Sequence, residues 1–249
     1  MTTAEDGDTT LDFYLTAELP CPYLDGLEER RVLTLLDTPA KSAALPLLLQ
    51  SGFRRSQNMV YRPQCRACSA CRSVRLRLAD FTPDAGLRRI LRKNENLHTA
   101  ESPAKSSPAL FDLFRRYQHS RHADGEMAQM TEADFAAMLE QHTGHARMMT
   151  VFDTQKNPAG AMLYDDLPEG VSAVYSFFDP ALSAQSPGTW MILQLAAQAA
   201  QAGKDYLYLG YWIAASRKMA YKARFQPLEV FHGSGWEDLA PPSKDIISR

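Results

Sequence analysis

Apolar positions along the chain switch between a helical period and a period of two, and each change predicts an element. Ser107 and Pro108 form a side-chain cap followed by proline at the first helical position, after which Leu110, Leu113, Phe114 and Tyr117 recur at helical spacing. A second helix is expected to start near Thr131, with Phe135, Met138, Leu139 and His142 on its apolar face. Strand-like runs follow at 147–153, 159–165 and 171–178, separated by Lys156-Asn157-Pro158 and Pro168-Glu169-Gly170, whose turn chemistry suits antiparallel neighbours. A helix then opens after Pro187-Gly188, carries Trp190, Leu193, Ala197 and Ala200, and stops at Gly203. Strands at Asp205 to Leu209 and Leu228 to Phe231 complete the pattern. Antiparallel strands, one crossover helix and a further strand predict a mixed α+β sheet, in the order that acetyltransferase-type (GNAT) acyltransferases use.

The N-terminal region reads differently. Pro20, Pro22, Pro39, Pro63 and Pro83 punctuate short elements, and every cysteine lies there. The Ser/Pro-rich stretch from Glu101 to Pro108 predicts a boundary, with a smaller, irregular domain over 1–104 and an acetyltransferase-like domain over 105–249.

Composition narrows the class. With 249 residues, 45% of them apolar and 22% charged, the chain can bury one large core or two modest ones, which excludes disorder and a disulfide miniprotein. The longest apolar stretch, Ala43 to Leu49, is broken by Pro46 and falls far short of the roughly 20 residues of a membrane span. Met1 to Thr10 is acidic and polar, so a soluble cytoplasmic protein with no membrane partner is expected.

A net charge of -2 argues against nucleic acid until its distribution is read. Segment 54–93 holds eleven Arg and Lys side chains against Asp80 and Asp84, whereas the flanking segments are both acidic. Such segregation points to a polyanionic partner, because local fields steer association more than net charge does. Within the segment, Ser73 to Leu78 alternates with period two and puts Arg75 and Arg77 on one face, where paired guanidiniums can grip a carboxylate or phosphate. Arg88, Arg89, Arg92 and Lys93 lie on a predicted short helix whose cationic side can track an RNA backbone.

The four cysteines are Cys21, Cys65, Cys68 and Cys71. The last three form C-x-x-C-x-x-C, a spacing that turns thiolates inward on one ion or cluster, with Cys21 as a possible fourth ligand. Ligand type alone leaves zinc and an iron–sulfur cluster both open, and four small core residues are the plain alternative.

Together these motifs resemble the arginyl-tRNA–protein transferase family. The N-terminal resemblance rests on Cys21-Pro22-Tyr23, Tyr61-Arg62-Pro63 leading into the cysteine triplet, Ser73-Val74-Arg75-Leu76, and Phe81-Thr82-Pro83 through Arg88-Arg89. The C-terminal resemblance rests on Tyr117, Arg121-His122, Gly125, Val174 through Pro180, Gly188-Thr189-Trp190, Leu209 through Ile213, and Lys218-Met219-Ala220-Tyr221-Lys222. It extends from about residue 12 to Trp236. The chain looks most like the short bacterial branch. That branch moves leucine from leucyl-tRNA onto proteins beginning with Asp or Glu and so marks them for N-end-rule degradation. The eukaryotic branch moves arginine. The resemblance also implies an acetyltransferase-like catalytic domain and an iron–sulfur cluster on the N-terminal cysteines, although this chain has a spaced triplet where the eukaryotic pattern has an adjacent Cys-Cys pair.

Transfer of an activated ester to an α-amine needs alignment and oxyanion stabilisation, with neither a nucleophilic triad nor a cofactor. Arg75 and Arg77 are the leading candidates for binding an acidic N-terminus, followed by Lys218, Tyr221 and Lys222. Lys218 and Lys222 would share a face if their segment were helical. Asp179 is a candidate to orient the amine, or else a turn cap, and Tyr211 and Trp212 are candidates to hold the terminal adenine of tRNA. His122 is the only histidine within a motif and is not assigned a catalytic role. Two other readings remain. An acetyl-CoA-dependent acetyltransferase is disfavoured because Pro187 removes an amide donor from the turn at Ser183 to Thr189. A noncatalytic zinc- and RNA-binding module leaves the C-terminal half without a purpose. No DNA partner is expected.

Overall fold

In a computed structural model, the described residues are 10–140 and 144–240. Expected helix-face residue His142 lies outside them. In chain order the elements begin with β1 (Tyr14–Leu15), β2 (Leu19–Pro20), β3 (Glu28–Glu29), β4 (Arg31–Leu35), α1 (Pro39–Ser42), α2 (Leu45–Gln50), β5 (Arg54–Ser56) and β6 (Met59–Pro63). They continue with β7 (Arg72–Arg77), α3 (Ala85–Lys93), β8 (His98–Pro103), α4 (Pro108–Arg121), α5 (Glu132–Glu140), β9 (Ala146–Phe152), β10 (Pro158–Asp166) and β11 (Gly170–Phe178). The last are α6 (Pro187–Gln201), β12 (Tyr206–Trp212), β13 (Leu228–His232) and β14 (Gly235–Asp238), with short 3-10 turns at Glu126–Gln129, Pro180–Gln185 and Ala220–Arg224.

An eight-stranded mixed sheet, ordered β14-β13-β7-β12-β11-β10-β9-β8, forms the centre. Its run of antiparallel β9, β10 and β11, crossover helix α6 and parallel β12 is the expected acetyltransferase-type order. Local sequence explains the elements well. Ser107 accepts a hydrogen bond from the Leu110 amide, Asp84 accepts one from Leu87, and Gly203, at φ +72°, ends α6 in the left-handed region. Along β10, Met162 and Tyr164 pack under α6 while Ala161 and Leu163 pack on the opposite side against Leu113, Phe114 and Phe135 of α4 and α5. The sheet is thus covered on both faces, which is why β10 reads as a continuous apolar run.

A four-stranded sheet, β1-β4-β6-β5, together with α2 covers the rest of the α4/α5 side, packing Leu45, Leu48, Leu49 and Val60 on Tyr208 of β12. Two expectations change here. Of the stretch expected to be a boundary, Glu101 to Pro108, the first three residues belong to edge strand β8, paired to β9, and Ser107 and Pro108 open α4; Pro103 sits at the strand's end, where an edge position tolerates the missing amide. And β7, from the first 104 residues, lies between β13 and β12, so the division at 104 does not separate the sheets.

Candidate active site

Parallel pairing between β11 and β12 holds for Gly170, Val171 and Ser172 against Tyr206, Leu207 and Tyr208, and then ends. Both strands are irregular just beyond that point. On β11, Tyr175 pairs with Leu163 and Ala173 with Tyr164, leaving Val174 as a bulge. On β12 the register against β7 shifts between Tyr208 and Gly210, leaving Leu209 unpaired. Bulges re-aim side chains and bend strands, and here they open a gap between adjacent strands at the middle of the sheet.

Arg54, at the start of β5, fills the opening. Its Nη2 donates to the carbonyl of Val174 at 3.1 Å, satisfying the acceptor that the bulge releases. Gly210 makes room for it: a Cβ there would meet the Arg54 Cδ and Nε at 3.1 Å, and φ is +69°. Among the described residues Arg54 has no carboxylate partner.

Two cavities meet around Arg54, Val174 and Tyr175. The first, about 270 Å³, is further lined by Tyr117, Ser176, Leu209, Met219, Tyr221 and Lys222, among others. The second, about 260 Å³, lies between the small sheet and the α4/α5 layer, and its apolar wall is Met127, Met130, Met138 and Leu163. No acidic side chain is among the described residues lining either cavity. Arg55 also borders the second cavity, but its charge is answered by Asp165, with Nε to Oδ2 at 2.7 Å and both side chains fully buried.

Tyr175 stands at the junction. The Nε2 of buried Gln118 donates to its phenolic oxygen at 2.6 Å, so the phenol's own proton is free to donate. Burial, followed by the neighbouring Tyr117, raises the phenol above its ordinary value and outweighs the lowering by Gln118, so the group stays protonated at neutral pH.

The expected site residues fare unevenly. Arg75 and Arg77 do share one face, but that face already holds their counter-ions, which corrects their assignment as binders of an acidic substrate. Arg75 pairs with Glu229 at 2.6 Å and stacks on Tyr206 and Trp236, while Arg77 pairs with Asp80, Glu229 and Asp238. Tyr211 is corrected as well: its hydroxyl donates to the carbonyl of Tyr61 at 2.7 Å, tying β12 to the small sheet. Burial raises that phenol well above its usual range. Trp212 packs against the core, with its indole N–H buried. Asp179 caps the 3-10 turn through the Ala181 amide and pairs with Arg116 at 2.6 Å; burial pushes its carboxyl up, yet these partners hold it below its ordinary value. That is the cap, not the amine-orienting catalytic role.

Lys218 and Lys222 do not share a face, because the segment turns as a 3-10 helix only from Ala220. Lys218 is exposed, Tyr221 is 38% exposed at the first cavity, and Lys222 points inward. On α3, Leu87 and Ile90 enter the core while Arg88, Arg89, Arg92 and Lys93 stay exposed, as the pattern requires. The start of α3 lies against the cavity-lining turn, since a Cβ on Gly86 would be 3.3 Å from Arg224 Nη2.

Cys21, Cys65, Cys68 and Cys71 converge on one small cavity of about 30 Å³. Burial, then the other three thiols, push Cys71 up to about 12. The donor set suits zinc or a cluster in kind, but among the described residues no three His, Cys, Asp or Glu side chains are placed to hold one ion. As placed, the quartet does not fit a bound metal.

Arg54, Tyr175 and the methionine wall were missed by sequence reasoning. Arg54 is one of eleven cations in its segment, Met138 reads as one position of an apolar helix face, and Met127 and Met130 fall outside any periodic pattern; the clustering of the three methionines in a short span was the available signal.

The mixed sheet thus opens between its parallel strands into two confluent chambers, an arrangement with room for two bound reactants. Family models described as "Arginine-tRNA-protein transferase, N terminus" and "Arginine-tRNA-protein transferase, C terminus" match residues 19–89 and 109–232. Proteins named aspartate/glutamate leucyltransferase are similar over most of the chain. The one from Paramagnetospirillum magneticum is 45% identical over 92% of this chain and 94% of its own. Its counterpart from Gluconacetobacter diazotrophicus is 47% identical over 91% and 87%. Among solved structures, the C-terminal domain assigned to a lysylphosphatidylglycerol synthetase of Agrobacterium fabrum aligns with a TM-score of 0.49 and 14% identity, over 68% of this chain and 62% of that one. The chain belongs to the arginine-tRNA–protein transferase family and is an aminoacyltransferase. Among the described residues no helix is long and apolar enough to cross a membrane.

Proposed function

We propose that this chain transfers leucine from leucyl-tRNA to the α-amine of proteins that begin with Asp or Glu. The observation that carries this reading is the lining of the two chambers: an unpaired guanidinium at their junction, an apolar methionine wall on one side, and no acidic side chain among the described lining residues. A leucyl side chain gains by leaving water against Leu163 and the methionines Met127, Met130 and Met138, whose flexible thioethers fill gaps around a branched ligand. An arginyl side chain would enter the same hollow without a carboxylate to meet it and with Arg54 and Arg55 nearby, which disfavours arginine as donor. The names of the relatives agree with leucine and with an acidic acceptor.

Arg54 suits the Asp or Glu side chain, because a partly buried guanidinium with no internal counter-ion binds a carboxylate bidentately. The amine nitrogen attacks the ester carbonyl carbon, a C–N bond forms, and the bond to the ribose oxygen of the terminal adenosine breaks. Tyr175, held by Gln118, is placed to donate to the oxygen on which charge develops. Turnover with leucyl-, arginyl-, methionyl- and phenylalanyl-tRNA against peptides beginning with Asp, Glu, Asn and Ala tests the reading. Leucine on Asp and Glu peptides is expected; efficient arginine transfer, or equal use of Asn and Ala peptides, overturns it.

The exposed cations of α3 are assigned to tRNA phosphates beside the cleft. Reversing Arg88, Arg89 and Arg92 to Glu should flatten the salt dependence of tRNA affinity by about 0.7 to 0.9 in log–log slope for each phosphate no longer neutralised. Filter binding across a salt series checks this, and an unchanged slope removes these residues from the tRNA surface.

A further inference from the structure

Lys222 is buried and lines the first chamber, yet neither substrate carboxylate binding nor oxyanion stabilisation calls on it. Its Nζ has two protein partners: it donates to the carbonyl oxygen of Tyr211 at 2.5 Å and contacts the Met219 Sδ at 3.5 Å. Among the described residues Lys222 makes no ion pair with a carboxylate, and none lines the chamber. The groups around the chamber are Arg54 from β5, Tyr117 from α4, Tyr175 from β11, and Tyr221 from the same turn. An ammonium carries three N–H donors, and the two protein acceptors take two of them. A neutral amine has two N–H bonds and one lone pair, which matches two partners and one open side. Burial and then Arg54 act in the same direction, pushing the amine well below the ordinary lysine value.

We infer that Lys222 is the proton acceptor of the transfer reaction, taking the proton from the attacking α-amine through the lone pair that its two protein partners leave toward the chamber. This rests on the chamber being the site of aminoacyl transfer. When the amine nitrogen bonds to the ester carbon it becomes positively charged, and its proton passes to Nζ. As the tetrahedral intermediate collapses, the C–O bond to ribose breaks and Nζ returns the proton to the departing oxygen. Ester plus amine becomes amide plus alcohol, and Lys222 ends as it began. A free α-amine loses its proton near pH ~7.7–8.0, so one modest base suffices.

The test has two arms. In the first, the full chain is treated with a limiting amount of acetic anhydride at pH 7, and each lysine is quantified by peptide mass spectrometry. Lys222 should be acylated ahead of the exposed lysines; labelling that lags behind Lys218 means a protonated or sealed amine and overturns the inference, whatever the enzyme's donor. In the second, Lys222→Met and Lys222→Arg are assayed with whichever aminoacyl-tRNA the wild type uses. Both should lose about 100-fold or more in kcat with little change in the peptide KM, and their remaining rate should follow the substrate amine alone across pH. Urea unfolding should find Lys222→Met at least as stable as wild type. Rescue by arginine would instead mark Lys222 as a donor to the Tyr211 carbonyl and sink the proton-acceptor role. If the wild type uses a donor other than leucine, the donor assignment fails while both arms still decide Lys222.

Discussion

Arg54→Ala should lower kcat/KM for an Asp-initiated peptide by roughly 30- to 150-fold, the equivalent of about 2–3 kcal/mol lost when one side of a desolvated charge pair is removed. The loss should be selective. Asn-initiated peptides, which carry the same shape without the charge, should change far less, so the preference for Asp over Asn collapses. Arg54→Lys should recover some of the preference, since an ammonium supplies the charge but not the planar fork. Affinity for charged tRNA should stay near wild type, because the α3 face is untouched. Steady-state kinetics on the peptide pair, with tRNA binding measured alongside, checks all of this. An equal loss for both peptides would show that Arg54 serves only to hold the Val174 carbonyl and the bulge.

The second large effect concerns stability. Arg55 and Asp165 join the small sheet to β10 across a fully buried interface, and the bond is made through one guanidinium nitrogen only; Arg55 Nη2 and Asp165 Oδ1 are left without partners. Asp165→Ala strands the arginine charge and should cost about 3–5 kcal/mol in urea unfolding. Arg55→Met with Asp165→Leu should recover most of that loss, because a half-satisfied ion pair gives little over well-packed apolar groups. The double variant should nonetheless bind charged tRNA less well. Arg55 Nη1 also donates to the carbonyl of Gln57, at 2.6 Å, and Gln57 lines the methionine chamber in a left-handed conformation. A single substitution costing under 1 kcal/mol would refute the assignment.

The same contrast between a charge already answered and one left free separates what was legible in the chain from what was not. Period two placed Arg75 and Arg77 on one face, and they are on one face. That Glu229 waits there, 154 residues further along, is a fact about β13 pairing with β7, and no local pattern carries it. Lys218 and Lys222 illustrate the reverse error: an assumed α-helical spacing gave them a common side, while helical turning begins only at Ala220, leaving Lys218 exposed and Lys222 buried at the first chamber.

Read alone, the chain determined its α+β class and the succession of strands and helices in its C-terminal half, the cap at Ser107 and the stop at Gly203, the exposed cationic side of α3, the gathering of the four cysteines and, through its motifs, its family. Each of these depends on residues close in sequence, on a repeated period, or on motif order. Tertiary structure decided the rest: which cations are spent on internal carboxylates, where β11 and β12 diverge, and how Arg54 comes to stand between a methionine wall and a buried lysine. A side chain's chemistry follows from its type, but its availability follows from its neighbours, and those neighbours are set by strand pairings and sheet packing that join residues more than a hundred positions apart.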